Sequence, residues 1–193
     1  MKQILMLLLS GYESMEAAAF IDIFGWNKVC GDHSTSLFTC GVTRTVCASF
    51  GPRTIVDYLI GEIDPKEYDA LVIPGGFGRY GYYEDGYQDE CLELVKSFDQ
   101  EESYIAAICT GSLILARSGI LKGMRATTYA TQTNSFAEDL TRQGALFTLK
   151  NPVREGKIFT ASNPASATKV GFLLLKLLTN AQNAARIQKD MGF

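Results

Sequence analysis

The sequence predicts one α/β domain over residues 1–193, a doubly wound, mostly parallel sheet with helices on both faces. Apolar runs alternate with segments of helical period along most of the chain, which is the pattern that builds such a sheet. Apolar residues make up 47% and charged residues 20% of the sequence, the balance of an ordinary globular protein. A chain of this length can bury the core that one such domain needs.

Five short apolar runs predict the strands of the sheet. They lie at residues 4–9, 37–40, 70–73, 105–108 and 158–161. Between the second and third runs, residues 42–46 and 54–56 predict a hairpin, and Gly51 with Pro52 supplies its turn.

Two helices are marked by apolar stripes that repeat every three or four residues, at residues 91–98 and 170–178. Further helices are predicted over residues 15–29, 112–118, 135–142 and 183–190. Gly31 and Gly119 follow two of these segments and are predicted helix stops.

Composition and charge argue against several classes of function. The formal net charge is −3 and the pI about 5.2, so no basic excess is present to bind a nucleic-acid backbone. The apolar run at residues 4–9 is shorter than a membrane span and is not followed by a signal-peptide cleavage site. The five cysteines form no CxxC pair or metal-like cluster. We therefore expect a cytoplasmic protein that binds no nucleic acid, membrane, metal or cofactor.

The segment from Tyr104 to Leu113 runs from an apolar strand into a helix, and Cys109 stands at the join. A side chain on such a turn projects from the carboxyl edge of the sheet, where open α/β folds bind ligands. The partial positive charge at the start of the helix favours thiolate, so we expect the thiol pKa to lie below its ordinary value of about 8.5. An inert, buried cysteine is the alternative. The strand-to-helix context favours Cys109 as a nucleophile.

The predicted strand at residues 70–73 ends abruptly before Gly75 and Gly76. Glycine lets a backbone approach a ligand closely, so these amides could face an anion beside Cys109. Paired glycines after a strand also occur as plain tight turns. Neither a dinucleotide fingerprint nor a Walker loop fits, because the required spacing and the Lys-Ser/Thr pair are missing.

Two glutamates, Glu13 and Glu16, follow the first strand, and Ser14 between them is a candidate helix cap. Acidic residues in a first helical turn commonly complement the helix dipole at the surface. By themselves, the residues do not distinguish Glu13 from Glu16 in that role.

Together these segments resemble the ThiJ/PfpI superfamily, which contains a deglycase, PfpI-type intracellular proteases, isonitrile hydratases and glutamine-amidotransferase-like domains. The resemblance covers nearly the whole chain and rests, in order, on residues 13–16, 68–76, 107–111, 123–128 and 158–162. It implies a flavodoxin-like, class I glutamine amidotransferase-like fold and a homodimer. It also implies that Glu16 touches the reactive cysteine, and that Gly76 and Thr110 supply the backbone donors of an oxyanion pocket. A neutral Glu16 that donates to the sulfur would stabilise thiolate.

The chain departs from this family where many relatives carry a histidine, because residues 127–129 read Thr-Thr-Tyr. The only histidine, His33, is expected on a surface loop before the second strand. Tyrosine is a poor general base at neutral pH, so the family's protease label is weakly supported here. We place Tyr129 in the catalytic site with Cys109 and Glu16, as a hydrogen-bond donor or as a cover over Cys109. The alternative is that Tyr129 only packs on a neighbour.

The segment at residues 79–87 follows the paired glycines and is rich in tyrosine. Tyrosine supplies a broad apolar surface with a polar tip, so this loop is predicted to form a wall of a binding pocket or an interface.

Three functions remain open at this stage. The first is a cysteine-dependent enzyme of the hydrolase, amidase or lyase type, in which Cys109 attacks a small amide, isonitrile or reactive aldehyde and Glu16 moves a proton. The second is a redox sensor whose Cys109 thiolate is oxidised to a sulfinate. The third is a noncatalytic binding subunit. The sequence favours the enzyme without naming its small-molecule substrate.

Overall fold

The computed structural model describes residues 1–193 and is built on a seven-stranded sheet. The strands of the chain are β1 (Lys2–Leu7), β2 (Thr35–Gly41), β3 (Thr45–Cys47), β4 (Arg53–Ile55), β5 (Tyr58–Leu59), β6 (Ala70–Ile73), β7 (Tyr104–Ile108), β8 (Arg125–Ala126), β9 (Leu146–Phe147), β10 (Val153–Glu155) and β11 (Ile158–Ala161). The main sheet has the order β10-β11-β7-β6-β1-β2-β5. All neighbours in it run parallel except β10 and β11, so the predicted mostly parallel sheet is confirmed.

Seven α-helices connect and cover these strands. They are α1 (Ser14–Cys30), α2 (Tyr82–Gly86), α3 (Asp89–Gln100), α4 (Gly111–Ser118), α5 (Phe136–Arg142), α6 (Ala165–Leu178) and α7 (Ala181–Asp190). Helices α1, α6 and α7 pack against one another, and α3, α4 and α5 form a second group. The two groups flank the sheet, as the alternating pattern of the sequence predicts. Gly119 closes α4 with a left-handed φ of 92°, which glycine adopts without strain.

The central strands are apolar on both sides because both faces of the sheet are covered. In β1 the side chains from Ile4 to Leu7 are fully buried, and the apolar run continues buried through Leu9 after the strand has ended. Leu5 is paired with Phe38 of β2 on one side and with Leu71 of β6 on the other. The predicted strand at residues 4–9 is therefore real but ends two residues earlier.

The predicted hairpin is present as the separate two-stranded sheet β3–β4, in which Val46 pairs with Thr54. Its first strand begins later than predicted, because residues 42–44 form a bend. Strands β5, β8, β9 and β10 and helix α2 were not predicted. Each has only two to five residues, too few for a hydrophobic period to emerge.

The parallel order brings four chain segments to one edge of the sheet. Strands β1, β6, β7 and β11 all end there, so the residues after each of them are neighbours in space. His33 lies in the loop between α1 and β2, at the opposite edge, where the next residue, Ser34, accepts a hydrogen bond from the Lys2 N–H. Its predicted position in a loop away from Cys109 is confirmed.

Candidate active site

Cys109 occupies the two-residue join between β7 and α4 in a strained backbone conformation. Its φ is +55°, a left-handed value that costs a residue with a side chain about 1–3 kcal/mol. Three hydrogen bonds hold it there. The Cys109 N–H donates to the carbonyl of Ala161 at 2.6 Å, and the Cys109 carbonyl accepts from the hydroxyls of Ser112 at 2.9 Å and Thr128 at 3.1 Å. These hydrogen bonds hold the Cys109 backbone in its strained conformation and so fix the position of the sulfur. Strained backbone that is held in this way is concentrated at functional sites.

Glu16 is fully buried on the first turns of α1 and meets both the glycine turn and the cysteine. Its Oε2 accepts a 2.6 Å hydrogen bond from the Gly75 N–H, which follows β6. Its Oε1 is buried and has no hydrogen-bond partner of good geometry, and the Cys109 thiol is the side chain that interacts with this carboxyl. The structure therefore brings together the two residues that the resemblance paired.

Burial raises the pKa of Glu16 from its ordinary value of 4.5 to about 8. The Gly75 N–H and the Cys109 thiol act in the opposite direction, while the neighbouring charge of Glu13 raises the pKa further. Glu16 is consequently mostly neutral at pH 7. Because Gly75 donates to Oε2, the proton of the neutral acid belongs on Oε1, the oxygen that lacks another partner.

Burial also raises the pKa of the Cys109 thiol above its ordinary value, and a charged Glu16 raises it further. The Thr110 N–H at the start of α4 lowers it without compensating for the desolvation. Only 7% of Cys109 is exposed. The sequence-based prediction of a lowered thiol pKa is therefore wrong, because it counted the helix end and omitted the removal of the sulfur from water.

Gly75 is required because its α-carbon lies against the backbone of the Cys109 turn. A side-chain carbon at this position would lie 2.7 Å from the Ile108 carbonyl oxygen, 2.8 Å from Cys109 Cβ and 2.9 Å from the Thr110 nitrogen. Gly111 is confined in the same way, with the Ile73 carbonyl oxygen 2.6 Å from the place of its missing Cβ. These glycines allow the ends of β6 and β7 to touch.

We expect Gly75→Ala to lower the free energy of unfolding by about 2–3 kcal/mol, because overpacking against backbone atoms cannot be relieved by a rotamer change. Urea denaturation measures this loss. The control is Gly25→Ala on α1, where no atom lies within 4 Å of the added carbon and the better helix propensity of alanine should stabilise the protein. Equal stability of the Gly75→Ala variant and the parent would contradict the close approach described above.

The Gly76 amide is occupied in this structure. Its N–H donates to Thr110 Oγ1 at 2.9 Å, and the Thr110 hydroxyl donates to the Gly76 carbonyl at 2.8 Å. The Thr110 N–H instead faces the Cys109 sulfur. The two residues named as oxyanion donors thus lie at the cysteine, with the Gly76 N–H covered by the threonine side chain.

Tyr129 lies at the surface beside the Cys109 turn, directly after Thr128. It is 40% exposed, makes no side-chain hydrogen bond within the chain, and lines a pocket of about 130 Å³ together with Thr127, Thr128 and Ser162. Its neighbour Thr128 makes the hydrogen bond to the Cys109 carbonyl. A catalytic role for Tyr129 stays a prediction.

The tyrosine-rich segment is a short helix rather than a loop, and its side chains have different surroundings. Tyr82 is fully buried and donates to the Pro74 carbonyl at 2.6 Å. The hydroxyl of Tyr83 is buried beside the Thr110 hydroxyl. Tyr87 lies under a guanidinium group, with Arg117 Cζ 5.4 Å from its ring centroid. Tyr82 and Tyr83 both bring a hydroxyl close to the Cys109 turn, and the Tyr82 hydroxyl is already engaged with the Pro74 carbonyl.

Sequence reasoning did not single out Ser112 or Thr128, and it placed Tyr83 only within a tyrosine-rich segment predicted to form a pocket wall or an interface. Ser112 and Thr128 bind the Cys109 carbonyl, and hydroxyl residues near a strand end give no signal that distinguishes them from ordinary turn residues. Elsewhere in the structure, no group of three or more His, Cys, Asp or Glu side chains is placed to hold a metal ion. No helix combines the length and apolarity needed to cross a membrane.

The fold and the site define an α/β protein with a buried cysteine on a strained strand-to-helix turn at the carboxyl edge of its sheet. Residues 2–177 match the DJ-1/PfpI family. The chain therefore belongs to the DJ-1/PfpI family.

Relatives and solved structures agree with this assignment. The chain is 32% identical to Deglycase PfpI of Pyrococcus furiosus over 44% of its own length and 49% of the relative's. It is 38% identical to the isonitrile hydratase of Pseudomonas putida over 32% of its own length and 25% of the relative's. It thus spans about half or less of these two relatives. The crystal structure of Drosophila melanogaster DJ-1beta superposes with a TM-score of 0.85 at 22% identity, covering 98% of this chain and 97% of that one, and shows the same fold.

Proposed function

We propose that this protein is a cysteine-dependent enzyme that adds Cys109 to the electrophilic carbon of a small molecule, with reactive aldehydes such as methylglyoxal as the substrate class. The observation that carries the proposal is the fully buried Glu16 carboxyl against the Cys109 thiol. A carboxyl with a pKa of about 8 exchanges a proton readily near neutral pH, which is the property that a general acid-base needs. A purely structural glutamate would not need to be buried against a thiol.

The reaction begins from the charged form of Glu16, the minor species at pH 7. Its carboxylate accepts the thiol proton while the sulfur bonds to the aldehyde carbon and the π electrons of the carbonyl move to the oxygen. The resulting carboxylic acid returns the proton to that oxygen, which gives a hemithioacetal and regenerates the carboxylate. The step consumes no external oxidant, reductant or proton. Removal of the thiol proton during attack compensates for the raised pKa of Cys109.

One relative is named an isonitrile hydratase, which supports a small-molecule substrate, and another is named a deglycase. Peptide hydrolysis fits less well. Amide cleavage needs a group that protonates the leaving amine, and the position where many relatives carry histidine is Tyr129, while His33 lies at the opposite edge of the sheet. Addition to an aldehyde has no leaving group to protonate.

We expect purified protein to convert methylglyoxal to lactate, an internal redox isomerisation with addition of water, and Cys109→Ser to lower the rate by at least about a thousandfold. Proton NMR of substrate and product measures the reaction. The control is Cys47→Ser, because Cys47 is exposed on the hairpin and should contribute nothing. Equal turnover by the Cys109→Ser variant would overturn the proposal. One-to-one consumption of peroxide at Cys109 without aldehyde turnover would favour a redox sensor instead.

We also propose that two copies of the chain associate through α1 and the β3–β4 hairpin. Met15, Val29 and Ile55 are large apolar side chains exposed on these elements, with 62%, 75% and 76% of their surface open to solvent. Large apolar side chains exposed on neighbouring elements are the kind of surface that a partner can cover. The hairpin lies next to the start of α1, because the Ser49 N–H donates to the Tyr12 carbonyl, so the two elements form one face.

A further inference from the structure

Both glycine amides that face the cysteine turn are already paired with side chains of the protein. Glu16 Oε2 accepts from Gly75 and Thr110 Oγ1 accepts from Gly76. Glu16 must stay in place to exchange a proton with Cys109, so its bond to the Gly75 N–H is kept. The Gly76 N–H is therefore the amide that can form a hydrogen bond with a ligand. To reach it, a substrate oxygen has to replace the Thr110 hydroxyl.

The Thr110 hydroxyl has a second neighbour that nothing in the proposed reaction uses. Tyr83 places its buried hydroxyl, which lacks a well-formed hydrogen bond, beside Thr110. A threonine hydroxyl offers one donor and two acceptor positions. It donates to the Gly76 carbonyl and accepts from the Gly76 N–H, which leaves one lone pair for the Tyr83 O–H.

We propose that Thr110 is the gate of the Cys109 site: its hydroxyl occupies the place of the substrate oxygen on the Gly76 amide, and Tyr83 is the positioning residue that holds it there. This inference rests on the proposed function for the identity of the incoming oxygen. It concerns the side chain of Thr110 and leaves the role of the Thr110 N–H unchanged.

The gate also selects for the chemistry of the bound oxygen. A single atom can form hydrogen bonds to both the N–H and the carbonyl of Gly76, because Thr110 Oγ1 lies 2.9 Å from the nitrogen and 2.8 Å from the carbonyl oxygen. A carbonyl oxygen arriving there can accept from the N–H but has no proton for the Gly76 carbonyl. The hydroxyl of a hemithioacetal can do both and reproduces the two bonds of Thr110. The site therefore binds the adduct with Cys109 better than the free aldehyde, and the transition state shares this gain to the extent that its oxygen has already acquired the proton.

The test compares the labelling rates of Cys109 by iodoacetamide, which carries a carbonyl oxygen, and ethyl iodide, which carries no oxygen. Peptide mass spectrometry follows Cys109 alone. In Thr110→Ala the Gly76 amide is open, and the ratio of the two rates should rise about 3- to 10-fold, the effect of one net hydrogen bond. Thr110→Ser, which keeps the hydroxyl, should retain the ratio of the parent.

Tyr83→Phe should raise the same ratio by a smaller factor, and adding it to Thr110→Ala should produce no further rise, because Tyr83 acts through the threonine hydroxyl. An equal acceleration of both reagents in Thr110→Ala would show mere loosening of the site and overturn the gate, as would an unchanged ratio. The readout requires no turnover. A changed ratio in a protein that does not convert methylglyoxal would support the gate and reject the proposed function. An unchanged ratio in a protein that does convert methylglyoxal would reject the gate and support the proposed function.

Discussion

We expect Glu16→Gln to remove most of a steep loss of stability between pH 5 and pH 8. In the parent protein the folded state keeps the Glu16 proton up to a pKa of about 8, whereas the unfolded chain releases it near 4.5. Unfolding then releases a proton throughout this interval, so the free energy of unfolding falls as pH rises, by on the order of 4 kcal/mol in total. This contribution is fully present below pH 4.5 and lost above pH 8. Glutamine cannot ionise, so the variant lacks the loss.

Urea denaturation at pH 5, 6, 7 and 8 measures this difference, with the variant becoming progressively more stable than the parent. Two further variants serve as controls. Glu84→Gln removes an exposed carboxyl on α2 and should run parallel to the parent. Glu13→Gln should reduce the slope only slightly, because Glu13 is half-buried and acts on Glu16 through its charge. Parallel stability profiles of parent and Glu16→Gln would show that Glu16 is charged in the folded protein.

We expect the rate of methylglyoxal conversion to rise about tenfold per pH unit below pH 8 and to level off above it, because the reaction uses the charged form of Glu16. Glu16→Gln should lower kcat/KM by about a hundredfold to ten-thousandfold and abolish this limb. Measuring kcat/KM from pH 6 to pH 9.5 in both proteins tests the assignment. A variant that keeps the rising limb at lower amplitude would place the essential base elsewhere.

Alkylation of the Cys109 thiol tests its interaction with Glu16 independently of aldehyde turnover. A charged Glu16 raises the pKa of Cys109, so at pH 9 the Glu16→Gln variant should form more thiolate than the parent and react faster with iodoacetamide, while its aldehyde turnover is lower. Opposite changes in alkylation and turnover would separate loss of a base from damage to the site. Equal losses in both would indicate that the variant is misfolded at the turn.

The fold could be predicted because its signals are local and repeated. Buried parallel strands require unbroken apolar runs, and the helices that cover them require a stripe, so the five main strands and the longer helices were predicted close to their observed places. Cys109, Gly75 and Gly76 could be found for a related reason, since each follows one of those runs. Glu16 could be separated from Glu13 only by resemblance, because the sequence does not show that Glu13 precedes α1 while Glu16 is buried in its first turn.

What could not be predicted depends on distances between segments far apart in the chain. The direction of the Cys109 pKa shift follows from burial of the thiol, which outweighs the helix end that the sequence displays. The pairing of the Gly76 amide with Thr110 joins residues 34 positions apart. The arrival of the Tyr83 hydroxyl at this pair requires α2, a helix too short to have a detectable period.

The two ends of the main sheet bear on how copies of this protein can meet. The outermost strands are β5, with two residues, and β10, with three, and β10 is antiparallel to the rest. At the β10 end, so short a strand offers few unpaired backbone groups, and a strand from another molecule would gain little by adding to it. At the other end, β2 pairs with β5 only at Cys40 and Gly41, so the earlier residues of β2 have no strand partner on that side. Pairing with a strand of another copy is thereby disfavoured at the β10 end of the sheet and has more backbone to use at the β2 end.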